Sequence, residues 1–410
     1  PTSTLEADRR QRQMCIRDRS QDTCALSEGC DRPALVCKVA VSDSGEVGDF
    51  EFIESTIRSR AKLSYYAVDR YLSGQYDDLM SHATPLEALY QVYRALRNYR
   101  EEHELVMEGR REYRWILNDN KQIESIEPCE KLLSQKLVEE CMIAANRCAA
   151  RFLEAHKASG PFVSHPGFRA DRLEETRKFL AMHVPELAEE DPTTLSGYRN
   201  IMRRLANTDG ELPLRPMVNR LLNRAELSVA CGAHMGMSLP GYTNCTSPLR
   251  KYLDFLTHLQ IKAALHGGKP NLVTPDMLED LSQRIATCRA ATLEAERWLA
   301  ARYLDRQTTA EAGALDARIV HINSSGFNVR LEDCGLEGFV DLRKDPEKFS
   351  YDKWTASLTS TTRRFQLEQA VQLIFAGVDV ASQYMARFKL VDGCGLKPPK
   401  EEAPTADKAP

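Results

Sequence analysis

From Pro33 apolar and polar residues alternate through "PALVCKVAVSDSGEVGDFEFIESTI" about a Ser-Gly turn, which predicts a β-hairpin. The period then lengthens. Ile57, Ala61, Tyr65, Val68 and Leu72 predict one helical stripe, and a second helix is predicted from about Pro85 to Leu105. "YRWILNDNKQIESI" predicts a short hairpin, and "KLVEECMIAANRCAARFLEAH" an amphipathic helix with Leu137, Cys141, Ala144, Ala145, Cys148 and Phe152 on its inner side. Residues 160–240 mix helices with Pro- and Gly-containing loops. Thr274 and Pro275 open a long helix through Leu278, Leu281, Ile285, Trp298, Leu299 and Tyr303. After about Arg306 the β pattern returns: "ARIVHINSSGFNVRLEDCGLEGFVDL" holds three alternating runs and "AVQLIFAGVDVASQYMARFKLV" two more. Five strands of this size predict a small barrel of the OB type, so the expected class is α+β, with helices packed on β-sheet and a barrel after them.

Composition narrows this only a little. A chain of 410 residues can hold two or more domains, and 42% hydrophobic with 28% charged residues is the balance of a soluble globular protein. No run reaches the apolar length of a membrane span. The formal net charge is −4, so any nucleic-acid contact must come from a local basic surface. Twelve cysteines are scattered without a Cys-x-x-Cys pair or a histidine at zinc-ligand spacing, as expected of reduced thiols in a cytoplasmic protein. Cys141 and Cys148 read as core residues. The leader is Arg-rich and aperiodic, and its "RQMCIRDR" resembles translated adapter sequence; it is set aside from the fold, as is the Pro- and charge-rich tail "GLKPPKEEAPTADKAP".

Candidate chemistry centres on "YTNCTSPLRKYLDFLTHL", Tyr242 to Leu259. Ser247 has the character of an N-cap and Pro248 of a first helical residue, which would put Arg250 and Lys251 in the first turn. Cations there oppose the helix dipole by under about 1 kcal/mol, an arrangement that makes sense if a phosphate sits before the helix end. Solvated basic residues on a surface helix are the other reading.

This stretch, together with "IRSRAKLSYYAV" (Ile57 to Val68), "LVEECMIAAN" (Leu137 to Asn146) and "HMGMSL" (His234 to Leu239), resembles the ribonuclease II family, whose catalytic unit is the RNB domain. The likeness runs in order from about Cys24 to about Val391. It implies a C-terminal part of an RNB domain over 23–305, an S-one-type OB barrel over 306–393, and unstructured ends at 1–22 and 394–410. It also implies magnesium-dependent hydrolysis of single-stranded RNA from the 3′ end to nucleoside monophosphates, by a monomer. By resemblance Arg250 holds the scissile phosphate, Tyr65 lies beside the terminal nucleotide and Glu139 lines the site. Ser247 and Lys251 flank the phosphate, and Phe327 and Phe339 offer stacking surfaces in the barrel, unless they are barrel core. On the residues alone, Tyr65 also fits an apolar stripe. Glu139 and Asn146, seven apart, also fit a solvated face, and His258 fits a packed helix histidine.

The family's early D-x5-D-x-D-D arrangement of metal ligands does not occur in this chain; Asp77 and Asp78, the only Asp pair, read as turn residues. Met107 stands where the family has a stacking phenylalanine, and Leu259 where it has an arginine. The expectation is the C-terminal portion of a 3′→5′ exoribonuclease, inactive by itself. The alternative is a non-catalytic RNA-binding or scaffold protein derived from the family.

Overall fold

The computed structural model describes residues 19–75, 79–106, 111–207, 212–310, 313–391 and 393–396; the leader to residue 18, Asp77 and Asp78, Met107 and the tail from 397 lie outside them. The first hairpin forms as its alternation predicts, from β1 (Asp31–Val41) and β2 (Val47–Arg58) in antiparallel register. Its turn needs glycine: Gly45 has φ +89°, and a Cβ there would lie 1.9 Å from the Ala95 carbonyl oxygen. The stripe starting at Ile57 is only partly helix. Ile57 closes β2, and α1 (Tyr65–Leu72) begins where Ser64 caps it, its hydroxyl accepting the Ala67 N–H at 3.1 Å. Ser55 and the β-branched Thr56 and Ile57 find strand partners on β1, so pairing wins over helical period there.

α2 (Ala83–His103) is closed at its C-terminus by cations, as the dipole favours. Arg199 and Arg203 donate to the carbonyls of Glu101, Glu102, His103 and Glu104 at 2.6–2.7 Å. The hairpin of β3 (Glu112–Leu117) and β4 (Ile123–Cys129) follows. Next comes α3 (Leu133–Ala155), the central helix, whose N-terminal N–H groups at Leu133 and Ser134 are taken by the Asp69 carboxylate of α1 at 2.7 and 3.3 Å. Its apolar face buries Ala144, Cys148, Ala149 and Leu153 against the first hairpin and α2, and Leu137 is buried nearer its start. Short β5 (Phe162–Ser164) pairs with β6 (Glu226–Ser228), and between them lie α4 (Leu173–His183), α5 (Leu195–Ala206) and α6 (Leu214–Val218). α7 (Tyr252–Leu265) packs on α3 and β2, and α8 (Pro275–Ala310) carries the chain to the last region.

There β7 (Leu315–Asn323), β8 (Gly326–Leu331), β9 (Glu337–Asp341), β13 (Ala370–Asp379) and β14 (Met385–Leu390) close into a five-stranded barrel in the order β13-β14-β9-β8-β7. The β9–β14 pair is parallel, and it packs so tightly that a Cβ at Gly338 would lie 2.3 Å from the Phe388 ring. A three-stranded sheet of β10 (Ser350–Asp352), β11 (Ser357–Thr359) and β12 (Arg364–Gln366) is inserted after β9. The sequence reading missed it because three-residue strands are too short to show alternation. Barrel residues Ile319 and Phe327, and Phe365 of the inserted sheet, share one core with Phe179, Tyr198 and Ile201 of the helical region. The expected boundary at 305/306 therefore falls inside a continuous helix, α8. No helix among the described residues is long and apolar enough to cross a membrane.

Candidate nucleic-acid interface

The stretch from Tyr242 to Lys251 is non-repetitive, and three elements hold it. The Tyr242 carbonyl accepts the Val163 N–H at 2.9 Å, and the Thr243 hydroxyl donates to the Pro161 carbonyl at 2.5 Å. From α3, the Asn146 side chain accepts the Cys245 N–H through Oδ1 and donates from Nδ2 to the Tyr242 hydroxyl, both at 2.8 Å. From α7, His258 Nε2 donates to the Cys245 carbonyl at 2.7 Å, and Asp254 Oδ2 accepts the Ser247 N–H at 2.8 Å. Burial holds the His258 pKa below its ordinary value, so near neutral pH the ring is uncharged and its Nε2 carries the proton. His258 is thus the packed helix histidine that its residues alone suggest.

Ser247 does not cap the helix. Pro248–Arg250 form a turn whose Arg250 and Lys251 N–H groups return to the Ser247 carbonyl at 3.3 and 3.0 Å. Lys251 is extended (φ −115°, ψ 116°), and α7 starts only at Tyr252. The cations thus precede the helix, and the charged residue in its first turn is Asp254, the sign the dipole favours. A Ser-Pro signature starts turns as readily as helices, which is why the boundary was misplaced. Arg250 and Lys251 are exposed, and neither makes an ion pair with a described residue. Beside them Tyr252 and Phe255 are 56% and 44% exposed with ring centroids 6.2 Å apart, an aromatic surface that the sequence did not single out.

Tyr65 opens α1 and is exposed; it is no core residue, and its carbonyl accepts the Ser134 hydroxyl at 2.9 Å, which ties it to the start of α3. Glu139, on the open first half of α3, pairs with Lys131 at 2.5 Å. Asn146 lies seven residues further, about 10 Å along the axis. It is buried, which contradicts a solvated face shared with Glu139, because α7 covers this second half. Helix α3 therefore carries attachments to Tyr65, Glu139 and the Arg250 loop, but on different turns.

Beneath Tyr242 lies a buried ionic cluster that the sequence did not suggest. Glu140 receives Arg100 Nη1 on both carboxylate oxygens at 2.7 Å, and Glu104 pairs with Arg147 at 2.8 Å. Burial raises the Glu104 pKa against the pull of Arg147 and Arg100. Among the described residues no group of three or more His, Cys, Asp or Glu side chains could hold an ion. Glu139 is paired with Lys131, and Asp254 holds the Ser247 N–H through Oδ2 while its buried Oδ1 has no hydrogen-bond partner. The two carboxylates stand on different helices, outside any cluster of three such donors among the described residues, and do not by themselves make the magnesium site that the resemblance implies.

In the barrel, Phe327 is wholly buried against Phe365, 5.1 Å between centroids, so it is core and not a stacking surface. Phe339 is half-buried and faces outward, with the Arg387 guanidinium 5.1 Å from its ring centroid. Register extends this into one row across the strands: His321 opposite Asn328, Asn328 opposite Phe339, Phe339 opposite Arg387. Arg387 also pairs with Asp379, holding that carboxyl at about 2.

The RNB domain model matches residues 9–267. Exoribonuclease 2 of Cronobacter sakazakii is 32% identical over 332 residues, 80% of this chain and 51% of that protein, so the chain spans about half the length of the curated relatives it matches. Among solved structures, the apo form of Mycoplasma genitalium RNase R is similar with a TM-score of 0.75 at 19% identity, covering 92% of this chain and 60% of that one. The same RNase R in complex with ribose-methylated single-stranded RNA gives 0.74, with the same identity and coverage.

Proposed function

The chain belongs to the RNB family, and from that premise we propose that it forms the phosphate-facing part of a 3′→5′ exoribonuclease that takes single-stranded RNA. The observation that carries this reading is the clamped turn that presents Arg250 and Lys251, unpaired among the described residues, beside exposed Tyr252 and Phe255. A guanidinium fork suits two phosphate oxygens, an ammonium adds charge, and aromatic faces suit bases; together these are the donors that a single strand needs. In this reading Arg250 meets the scissile phosphate, while Ser247 and Lys251 flank it. Tyr65 and Glu139 line the path to the terminal nucleotide. The barrel, whose strand order and parallel β9–β14 closure fit the OB type, contributes Phe339 and Arg387 to the strand further from the 3′ end.

The described side chains bind and orient. They do not assemble a magnesium site, and no hydrolytic step is assigned to them. The chain as it stands should therefore bind RNA without trimming it, and should do so as a monomer; the free thiols of its described cysteines suit a cytoplasmic setting. Titration of a labelled single-stranded RNA across salt concentrations tests the reading. Binding should weaken as salt rises, and Arg250→Ala should flatten the log–log slope by about 0.7, one phosphate contact on a single strand. Binding that ignores salt would remove the RNA role, and trimming of a 3′-labelled oligonucleotide in magnesium would show that the hydrolytic groups are present after all.

A further inference from the structure

We propose that Asn146 and His258 are positioning residues for Arg250, gripping Cys245 by its N–H and its C=O so that the turn that follows presents the guanidinium in one place. The inference rests on the reading of Arg250 as a phosphate contact. Asn146 comes from α3 and is 4% exposed, and His258 comes from α7 and is part-buried. Their bonds to the two backbone groups of Cys245 measure 2.8 and 2.7 Å. Two residues on, the Ser247 N–H is held by Asp254 at 2.8 Å, and the Ser247 carbonyl takes the N–H groups of Arg250 and Lys251. Cys245 and Ser247 are thus each tied to the helical core by hydrogen bonds from helix side chains, and the turn's own backbone bonds carry that hold from Ser247 to Arg250.

The Asn146 amide is fully specified. Its oxygen faces a donor and its nitrogen faces the Tyr242 hydroxyl, so no flipped orientation satisfies both. Tyr242 in turn anchors the start of the same loop through Val163. An apolar side chain of the same volume would fill the space and leave the Cys245 N–H buried and unmet. The loop would then be free to shift, and a fork that needs sub-ångström placement would lose its phosphate even with Arg250 intact.

The test is a double-mutant cycle on the full chain, read as the slope of log affinity against log salt for one single-stranded RNA. Arg250→Ala should lower the slope by about 0.7. Asn146→Leu should lower it equally, and the double variant no further. If Asn146→Leu leaves the slope unchanged, or if its loss of affinity adds in full to that of Arg250→Ala, Asn146 only supports the fold and the inference is overturned with the reading of Arg250 intact. If Arg250→Ala itself leaves the slope unchanged, the phosphate reading falls and the inference with it. His258 gives an independent arm should Asn146→Leu not fold. His258→Gln, which keeps an N–H for the carbonyl, should retain the wild-type slope, whereas His258→Leu should match Arg250→Ala. Equal slopes for the two His258 variants would contradict the proposal.

Discussion

The two candidate RNA-facing surfaces are built in opposite ways. On the barrel, His321, Asn328, Phe339 and Arg387 line up because strand register puts them in one row, and Asn328, Phe339 and Arg387 each lie between two paired strands. At the Arg250 turn there is no ladder, and placement depends on a few side chains, buried Asn146, Asp254 and Thr243 and part-buried His258. A sheet is redundant, so one substitution on its face should remove one contact. A clamped loop is not, so substitutions that never touch RNA should act at a distance.

The largest effects should fall on stability, beneath the clamped loop and inside the barrel. Arg100→Ala leaves Glu140 buried with only a more distant arginine, Arg97 at 3.6 Å, and should cost about 3–5 kcal/mol. Phe327→Ala empties a fully buried ring position in the barrel and should cost a similar ~3–5 kcal/mol. Both are read from denaturant melts. An unchanged midpoint for Arg100→Ala would mean that the ionic cluster does not support the loop. A loss of RNA affinity for Phe327→Ala without loss of stability would return Phe327 to the surface.

Acid should weaken the helical region next. Burial, with His165 nearby, lowers the His234 pKa to about 4, and burial also lowers His165 and His258. The unfolded chain binds these protons more readily than the folded one. The stabilisation is therefore complete above about pH 6.5 and is lost as pH falls toward 4, with roughly 3 kcal/mol from His234. Glu104, raised by burial, works in the opposite sense upward from its ordinary value. Thermal midpoints should rise between pH 4.5 and 6.5, and His234→Gln should flatten that rise; a flat wild-type profile would contradict it. The smallest effect belongs to the barrel face. Phe339→Ala should cost about 1–3 kcal/mol of RNA binding, with less effect on the fold than Phe327→Ala, as measured by titration beside the melts. An equal loss of stability in the two variants would place both rings in the core.

What the sequence revealed follows the same division. The barrel was legible because of period-2 alternation in "GFNVRL" and "LEGFVDL", but the inward side of Phe327 and the outward side of Phe339 were not separated there and are seen only in the fold. The first hairpin, α2, α3 and α8 were legible for similar reasons. The loop was not. Asn146 shares an azimuth with Glu139 on α3, and periodicity alone does not tell that α7 covers one turn and leaves the other open. Nor does it tell that Lys251 turns extended and delays α7 to Tyr252. Clamps depend on tertiary neighbours some 100 residues away in sequence, as for Asn146 and Cys245, and a local pattern carries no sign of them.

The central claim is that Arg250 faces the phosphate that is cut, and not merely one that is bound. The direct measurement joins this chain to the aspartate-bearing segment of a relative, then compares single-turnover cleavage and equilibrium binding of one RNA for wild type, Arg250→Ala and Arg250→Lys. Loss of a preorganised donor should slow cleavage by about 10²–10³-fold while affinity, shared among many phosphates, changes far less. Lysine should recover little, because an ammonium cannot reproduce the fork. If Arg250→Ala weakens binding as much as it slows cleavage, the residue is a general RNA contact and the assignment fails.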